Sequence, residues 1–199
     1  MKVKVKKEGK VKEFNLINSW ADVTLEKWVK LAHKDNETKV EEALKVIDTL
    51  TDIPKKLVKE LALSDVANIM SKVAELQAKQ DTKLKRIIEI NGIEYGFHPD
   101  LDSISLGEYA DIEQFIKNGI DKNLPELMAV LYRPVKEKKN DIYIIDAYDG
   151  DIRLRTEEMK QMSAQQVQSA LVFFYVFVTE LSKTLQSCLT EVLTEMKTQ

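Results

Sequence analysis

Cysteine occurs once in the 199 residues, at Cys188, so the chain has no internal disulfide to make and nothing in it points to an oxidising compartment. Histidine occurs twice, at His33 and His98, and neither stands in an i, i+4 pair. A metal or general-base site therefore lacks partners at suitable spacing. Six glycines and four prolines are too few for a loop-rich or disordered chain. No G-x-S-x-G, phosphate-binding glycine-rich loop or C-x-x-C pair occurs. Long apolar runs are missing too. The longest, ALVFFYVFV over 170–178, is bracketed by Gln168 and Glu180 and is far too short to cross about 30 Å of hydrocarbon. It reads as an enclosed helix segment, because a helix apolar on nearly every face must be buried. A net charge of −3 and a pI near 5.6 give no global case for nucleic-acid binding. The opening MKVKVKKEGK has no apolar stretch of signal-peptide type after it, which sets the expectation of synthesis and assembly in the cytoplasm.

What is present favours helix. The chain is 44% hydrophobic and 32% charged, within the range of one globular domain or two small ones, and rich in Leu, Lys, Glu, Ala and Val. Residues 2–16 read as a lysine-studded hairpin around Glu8-Gly9, with Val3, Val5 and Val11 facing a core. Phe14 and Leu16 fall out of phase with Val11, which implies a bulge. Asp22 or Thr24 caps a helix running to about His33 that buries Leu25, Trp28, Leu31 and Ala32. A second helix over 39–50 aligns Val40, Leu44 and Ile47, a short third follows Pro54, and a fourth, capped by Ser64, carries Val66, Ile69, Met70, Val73 and Leu76. The polar stretch 77–83 is the best internal boundary.

The order then restarts. Asn91-Gly92, the strongest hairpin dipeptide, lies between two β-prone runs. ISLGEYADI from Ile104 echoes VTLEKWVKL from Val23, and LPELMAVLYRP, ending at Pro134, echoes ALKVIDTLTDIP, ending at Pro54. Each pair lies about 80 residues apart, a spacing that suggests two related modules, 1–80 and 84–199, rather than a solenoid. The second module has two additions. In 136–155, Ile142 to Tyr148 reads as a strand returning through Asp149-Gly150 to Ile152 and Leu154, an inserted hairpin. Over 163–197 a long helix carries an a/d seam of Val167, Leu171, Phe174, Val178, Leu181, Leu185, Cys188 and Val192. The expected class is mainly α-helical α+β.

Candidate chemistry is thin. Asp146, Asp149 and Asp151 do not keep the alternating spacing of an EF-hand loop and read as a solvated turn. His33 ends a helix, where a positive charge suits the dipole, and His98 precedes Pro99 in a connection. Cys188 on the seam reads as a small buried hydrophobe. Lys4, Lys6 and Lys10 of the first hairpin are the residues with which the chain would contact phosphate backbones, but with no aromatics between them they read as a guarded strand edge. YRPVKEKK, 132–139, reads as a surface connection. The strongest candidate is the end of the last helix: Leu185, Leu189, Val192 and Met196 form an apolar stripe beyond what the module needs, and are expected to meet a partner helix. No catalytic, cofactor-binding or metal-binding residue is expected, and no membrane partner.

LINSWADVTLEKWVKL with EEALKVIDTLTDIPKKLVKELALSDVANI, and IEINGIEYGFHPDLDSISLGEYADIEQFI with LPELMAVLYRPV, resemble the two halves of small proteins encoded among the tail and neck genes of tailed bacteriophages, including crAss-like and other large phages. Such proteins are variously described as tail-assembly chaperones, baseplate-hub assembly proteins or structural proteins. The resemblance runs from about Leu16 to Leu181, rests on the texture of the motifs, and carries over no functional residue. It implies a non-enzymatic, oligomeric protein that engages portal, neck or tail subunits. A ring or connector component of the virion is the first expectation, a soluble tail or baseplate-hub assembly chaperone the second. A DNA-contacting packaging accessory using the first hairpin is the third.

Overall fold

A computed structural model describes residues 1–7, 10–32, 37–78, 83–140 and 142–179, with the backbone alone at 6, 7 and 10. The fold is mainly helical α+β. Its first half opens with a hairpin of β1 (Lys2–Lys7) and β2 (Lys10–Asn15), and a 3-10 turn at Trp20–Asp22 follows. Then come α1 (Leu25–Ala32), α2 (Lys39–Leu50), the single turn α3 (Lys55–Val58) and α4 (Leu63–Ala78). The second half opens with the hairpin of β3 (Ile87–Ile90) and β4 (Ile93–Phe97), followed by a 3-10 turn at Leu101–Ser103, α5 (Leu106–Lys117) and α6 (Leu124–Leu131). It continues with β5 (Tyr132–Lys139), β6 (Ile142–Ile145), α7 (Arg153–Met159) and a helix α8 over 164–179. The order hairpin, 3-10 turn, capped helix, second helix thus occurs twice.

Local chemistry explains most of these elements. Asn91 and Gly92 both take positive φ (52° and 80°), the type I′ geometry that matches strand twist. Capping boxes open α2, through Thr38 and Glu41, and α5, through Ser105 and Glu108. At α1, Thr24 Oγ1 accepts the Lys27 N–H, while Asp22 serves the preceding 3-10 turn.

Several expectations need correction. The β1–β2 register runs evenly from Lys2↔Asn15 to Lys7↔Lys10, with no bulge. Phe14, opposite Val3, shares the core side with Val3 and Val5, and the misplaced residue is Val11, which is 58% exposed on the other face. Val40 is exposed because it sits in the first turn of α2, ahead of the stripe that Ile47 and Leu50 bury. Segment 132–139 is no surface connection. It is β5, inside a sheet ordered β3-β4-β5-β6, with Tyr132 and Arg133 buried. Helix α6 accordingly stops at Leu131. Pro134 is tolerated in this interior strand where the ladder is irregular: its carbonyl accepts the Asp146 N–H, and the β5–β6 register shifts between Val135 and Glu137.

The partner of β6 is therefore β5, and the inserted hairpin does not turn at Asp149-Gly150. Residues 153–159 are helix, because Ile152, Thr156 and Met159 recur at i, i+4 and i+7, and Leu154 is left exposed. In the sheet, Tyr143 of β6 reaches across β5 and donates its hydroxyl to the Phe97 carbonyl (2.6 Å). Its ring takes the space above Gly96, where a Cβ would stand 2.6 Å from the Tyr143 ring and 2.7 Å from Ile145.

Two apolar cores result. One gathers Val3, Val5, Leu16, Trp20, Ile47, Leu50, Val58 and Ile69; the other gathers Ile88, Phe97, Ile112, Leu127, Leu131, Tyr132, Met159, Val167 and Phe174. They exchange residues. Leu25 belongs to the second core and Ala164 to the first, and Trp28 packs on both while lying edge-on to Trp20 at 5.0 Å. Leu25 N–H donates to Met162 O and Ala164 N–H to Val23 O, each at 2.7 Å. The start of α1 and the start of α8 are thus stitched by backbone, a seam that fixes where α8 leaves the core.

Candidate functional site

Helix α8 begins at Ser163, whose Oγ accepts the Gln166 N–H while the Gln166 side chain accepts the Ser163 N–H. Its inner face, Ala164, Val167, Ala170 and Phe174, is fully buried. The outer face is apolar as well, yet open: Val172 is 52% exposed, Phe173 42%, Tyr175 52% and Val176 56%. The enclosure expected for ALVFFYVFV is thus half right. The inward side supplies core, and the outward side stands in solvent among the described residues. Beside it runs a groove of about 290 Å³ lined by Phe97, Leu101, Phe173, Val176 and Phe177, with Arg86, Asp100 and Asp102 also on its wall. Phe173 meets Phe97 edge-on at 5.6 Å, so the groove wall is anchored to the sheet. A contiguous apolar face with an aromatic groove and charged residues beside it is suited to binding another protein chain.

Behind the groove lies a polar cluster that no single stretch of sequence announces. Glu108 from α5, Arg133 from β5 and His98 after β4 are all nearly inaccessible. Arg133 Nη2 lies 2.8 Å and His98 Nε2 3.5 Å from the same Glu108 oxygen, Oε1. The Ser105 N–H donates to Glu108 Oε2 at 2.8 Å. Arg133 also sits over the ring of Tyr148, 5.8 Å from its centroid, and the Tyr148 hydroxyl donates to Asp111. Burial lowers the His98 pKa, against the pull of Glu108, and leaves the imidazole neutral at pH 7. Burial alone would raise Glu108, but the hydrogen bonds from Ser105 and the charge of Arg133 overcome it, and its carboxyl ends below the usual range. Burial and the Asp111 carboxylate push the Tyr148 phenol well up. A cavity of about 410 Å³ adjoins the cluster. With Glu108 and Arg133 compensating each other and His98 neutral, the cluster braces α5, β5 and the end of β4 against one another. His98 lines both this cavity and the aromatic groove, so the brace backs the groove directly.

The other expected sites fare variously. Leu185, Leu189, Val192 and Met196, with Cys188, lie outside the described residues, as does His33. Lys4 approaches Glu13 at 3.6 Å, and Lys2 approaches the same carboxylate at 3.3 Å, so part of the charge on the first hairpin is compensated. The side chains of Lys6 and Lys10 are not described. Asp146 pairs with Lys136, Asp151 with Arg153, and Asp149 accepts the Asp151 N–H. The three carboxylates are thus spent separately, and among the described residues no group of three potential ligands is placed to hold a metal ion. Nor, among those residues, is any helix long and apolar enough to cross a membrane. No protein family, curated protein or solved structure matches the chain.

Proposed function

We propose that this chain is a non-enzymatic morphogenesis protein of a tailed bacteriophage that works by protein–protein contact, as a ring or connector component of the virion at the portal, neck or tail. The observation that carries the contact reading is the outward face of α8, where four large apolar side chains between Val172 and Val176 stand half-exposed beside an aromatic groove. The phage assignment rests on the resemblance of residues 16–181 to tail and neck gene products. Apolar surface of this kind is a liability on a free chain and an asset in an assembly, where burying it contributes roughly 25 cal/mol per Å².

The test is complementation of a phage lacking the gene. Wild-type chain supplied in trans restores particles, whereas Val172→Asp with Val176→Asp, shown by thermal melting to be as stable as wild type, does not. Particle yield equal to wild type from that variant overturns the assignment of this face.

A further inference from the structure

Strand β6 is an outer strand of the four-stranded sheet, and it differs from the other strand edges in what it shows to solvent. Its sequence, IYII, has neither a charge nor a proline, the usual guards of an open edge. β3, at the opposite edge, buries Ile88 and Ile90 and shows Glu89, and the exposed Val11 of β2 stands between Lys10 and Lys12. β6 instead leaves Ile142 77% and Ile144 55% exposed, together on one face. Its backbone is open as well. The Asp146 N–H bonds to the Pro134 carbonyl of β5, so by alternation Ile142 and Ile144 also turn their polar groups toward β5, while Tyr143 and Ile145 turn theirs outward. Among the described residues no strand, turn or side chain bonds that outer edge.

We propose that the occupant of this edge is β6 of a second copy of the chain, running antiparallel to the first about a twofold axis at Ile144. In that register Tyr143 lies opposite Ile145 of the second copy, and Ile145 opposite its Tyr143. Every outward N–H and C=O of the two strands then finds a partner. Ile144 meets its own counterpart in a non-hydrogen-bonded pair, where facing side chains come closest. The charges agree. Lys139, opposite Ile142 on β5, is exposed and has no ion pair among the described residues, and Asp146, whose Oδ1 meets Lys136, stands at the other end of β6. The antiparallel register sets Asp146 of one copy opposite Ile142 of the other, on the same face as Lys139, whereas a parallel copy sets lysine beside lysine. The product is one continuous sheet ordered β3-β4-β5-β6-β6-β5-β4-β3. A twofold contact uses the same patch on both copies and closes on itself, so the unit is a dimer. The pairing concerns a surface separate from α8 and stands or falls apart from the reading of that face.

The experiment uses the full chain carrying Cys188→Ser, so that one introduced cysteine reports the contact. Ile144→Cys forms a disulfide-linked dimer under mild oxidation, because the two Cα atoms of such a pair lie about 4.5 Å apart, within the span of a disulfide. Ile142→Cys, at the more exposed position, does not link, since its counterpart lies several residues further along the edge. Without an added cysteine the chain sediments as a dimer, and Ile144→Lys, which sets like charges on the axis, weakens that dimer roughly 10-fold or more while keeping the native circular dichroism. A chain that stays monomeric at every soluble concentration overturns the proposal, as does Ile144→Lys dimerising like wild type. Linkage of Ile142→Cys as fast as Ile144→Cys overturns it too, because it marks random collision. So does hydrogen-exchange protection of the Tyr143 and Ile145 amides in a monomer, which places another part of the same chain on the edge. Val172→Asp with Val176→Asp leaves the Ile144→Cys linkage intact; its loss there assigns the association to α8 and overturns the β6 pairing.

Discussion

Both halves of this protein begin with a hairpin, a 3-10 turn and a capped helix, but they finish differently. The first hairpin remains a two-stranded sheet. Its core side is Val3, Val5 and Phe14, and its charges sit outside, in pairs such as Lys2–Glu13 that are open to water. The second hairpin is extended by β5 and β6 to four strands, and a buried Glu108–Arg133 ion pair with the neutral His98 beside it packs between that sheet and α5. The same opening motif thus yields one half held by apolar packing with solvated charge, and one half held by apolar packing plus a buried ionic brace. The difference teaches where sensitivity to change should lie. Exposed pairs can be lost at little cost, whereas a buried charge that loses its partner is left uncompensated.

The sharpest way to break the comparison is Arg133→Ala, which strands Glu108 in the interior and is expected to destabilise the fold by about 3–5 kcal/mol in denaturant unfolding. Glu13→Ala, its counterpart in the first half, leaves the melting temperature essentially unchanged. Replacing the pair together, Glu108→Leu with Arg133→Met, recovers most of the loss, because two well-packed apolar side chains need no compensation.

Next in size comes Gly96→Ala. The Tyr143 ring and Ile145 leave no room for a methyl group, so the change costs roughly 1–3 kcal/mol, and Tyr143→Ala in the same chain removes the ring's share of the clash while the Ile145 contact remains. Losing the cap with Ser105→Ala costs about 1 kcal/mol, read as a lower unfolding midpoint at unchanged m-value.

The smallest effect is a pH slope. His98 has a folded pKa below its ordinary 6.5, so folding favours its neutral form and stability is lost as pH falls below about 6.5. Glu108, also lowered, adds a second loss once pH drops below its ordinary 4.5. Chemical unfolding from pH 7 to about pH 3 should show both windows in wild type and only the lower one in His98→Asn.

How much of this was legible in the sequence follows from how local each signal is. Asn91-Gly92 needs only its own two backbone conformations, so the second hairpin was legible, and the Ser105–Glu108 cap needs only one turn of helix. Strand β5 was hidden because YRPVKEKK has a proline and five charges in place of alternation. Its strand character comes from β4 and β6 on either side, which no local window contains. Misreading it also sent β6 to the wrong partner. The ionic brace joins residues 98, 108 and 133 from three separate elements, and nothing near His98 in sequence names its carboxylate. Within ALVFFYVFV the seam of Leu171, Phe174 and Val178 names the inward side, but an outer face that is apolar as well hid the fact that this outer side stays open. The stitch between Leu25 and Met162 settles that by fixing where α8 lies.

The measurement that tests the central claim most directly is quantitative mass spectrometry of purified particles of the tailed phage proposed to encode the chain, calibrated against the portal protein. The account predicts the chain in fixed stoichiometry, near the portal copy number or a simple multiple of it. Its absence from mature particles, with abundance in infected cells, would contradict a virion component and make the exposed face of α8 that of a transient chaperone.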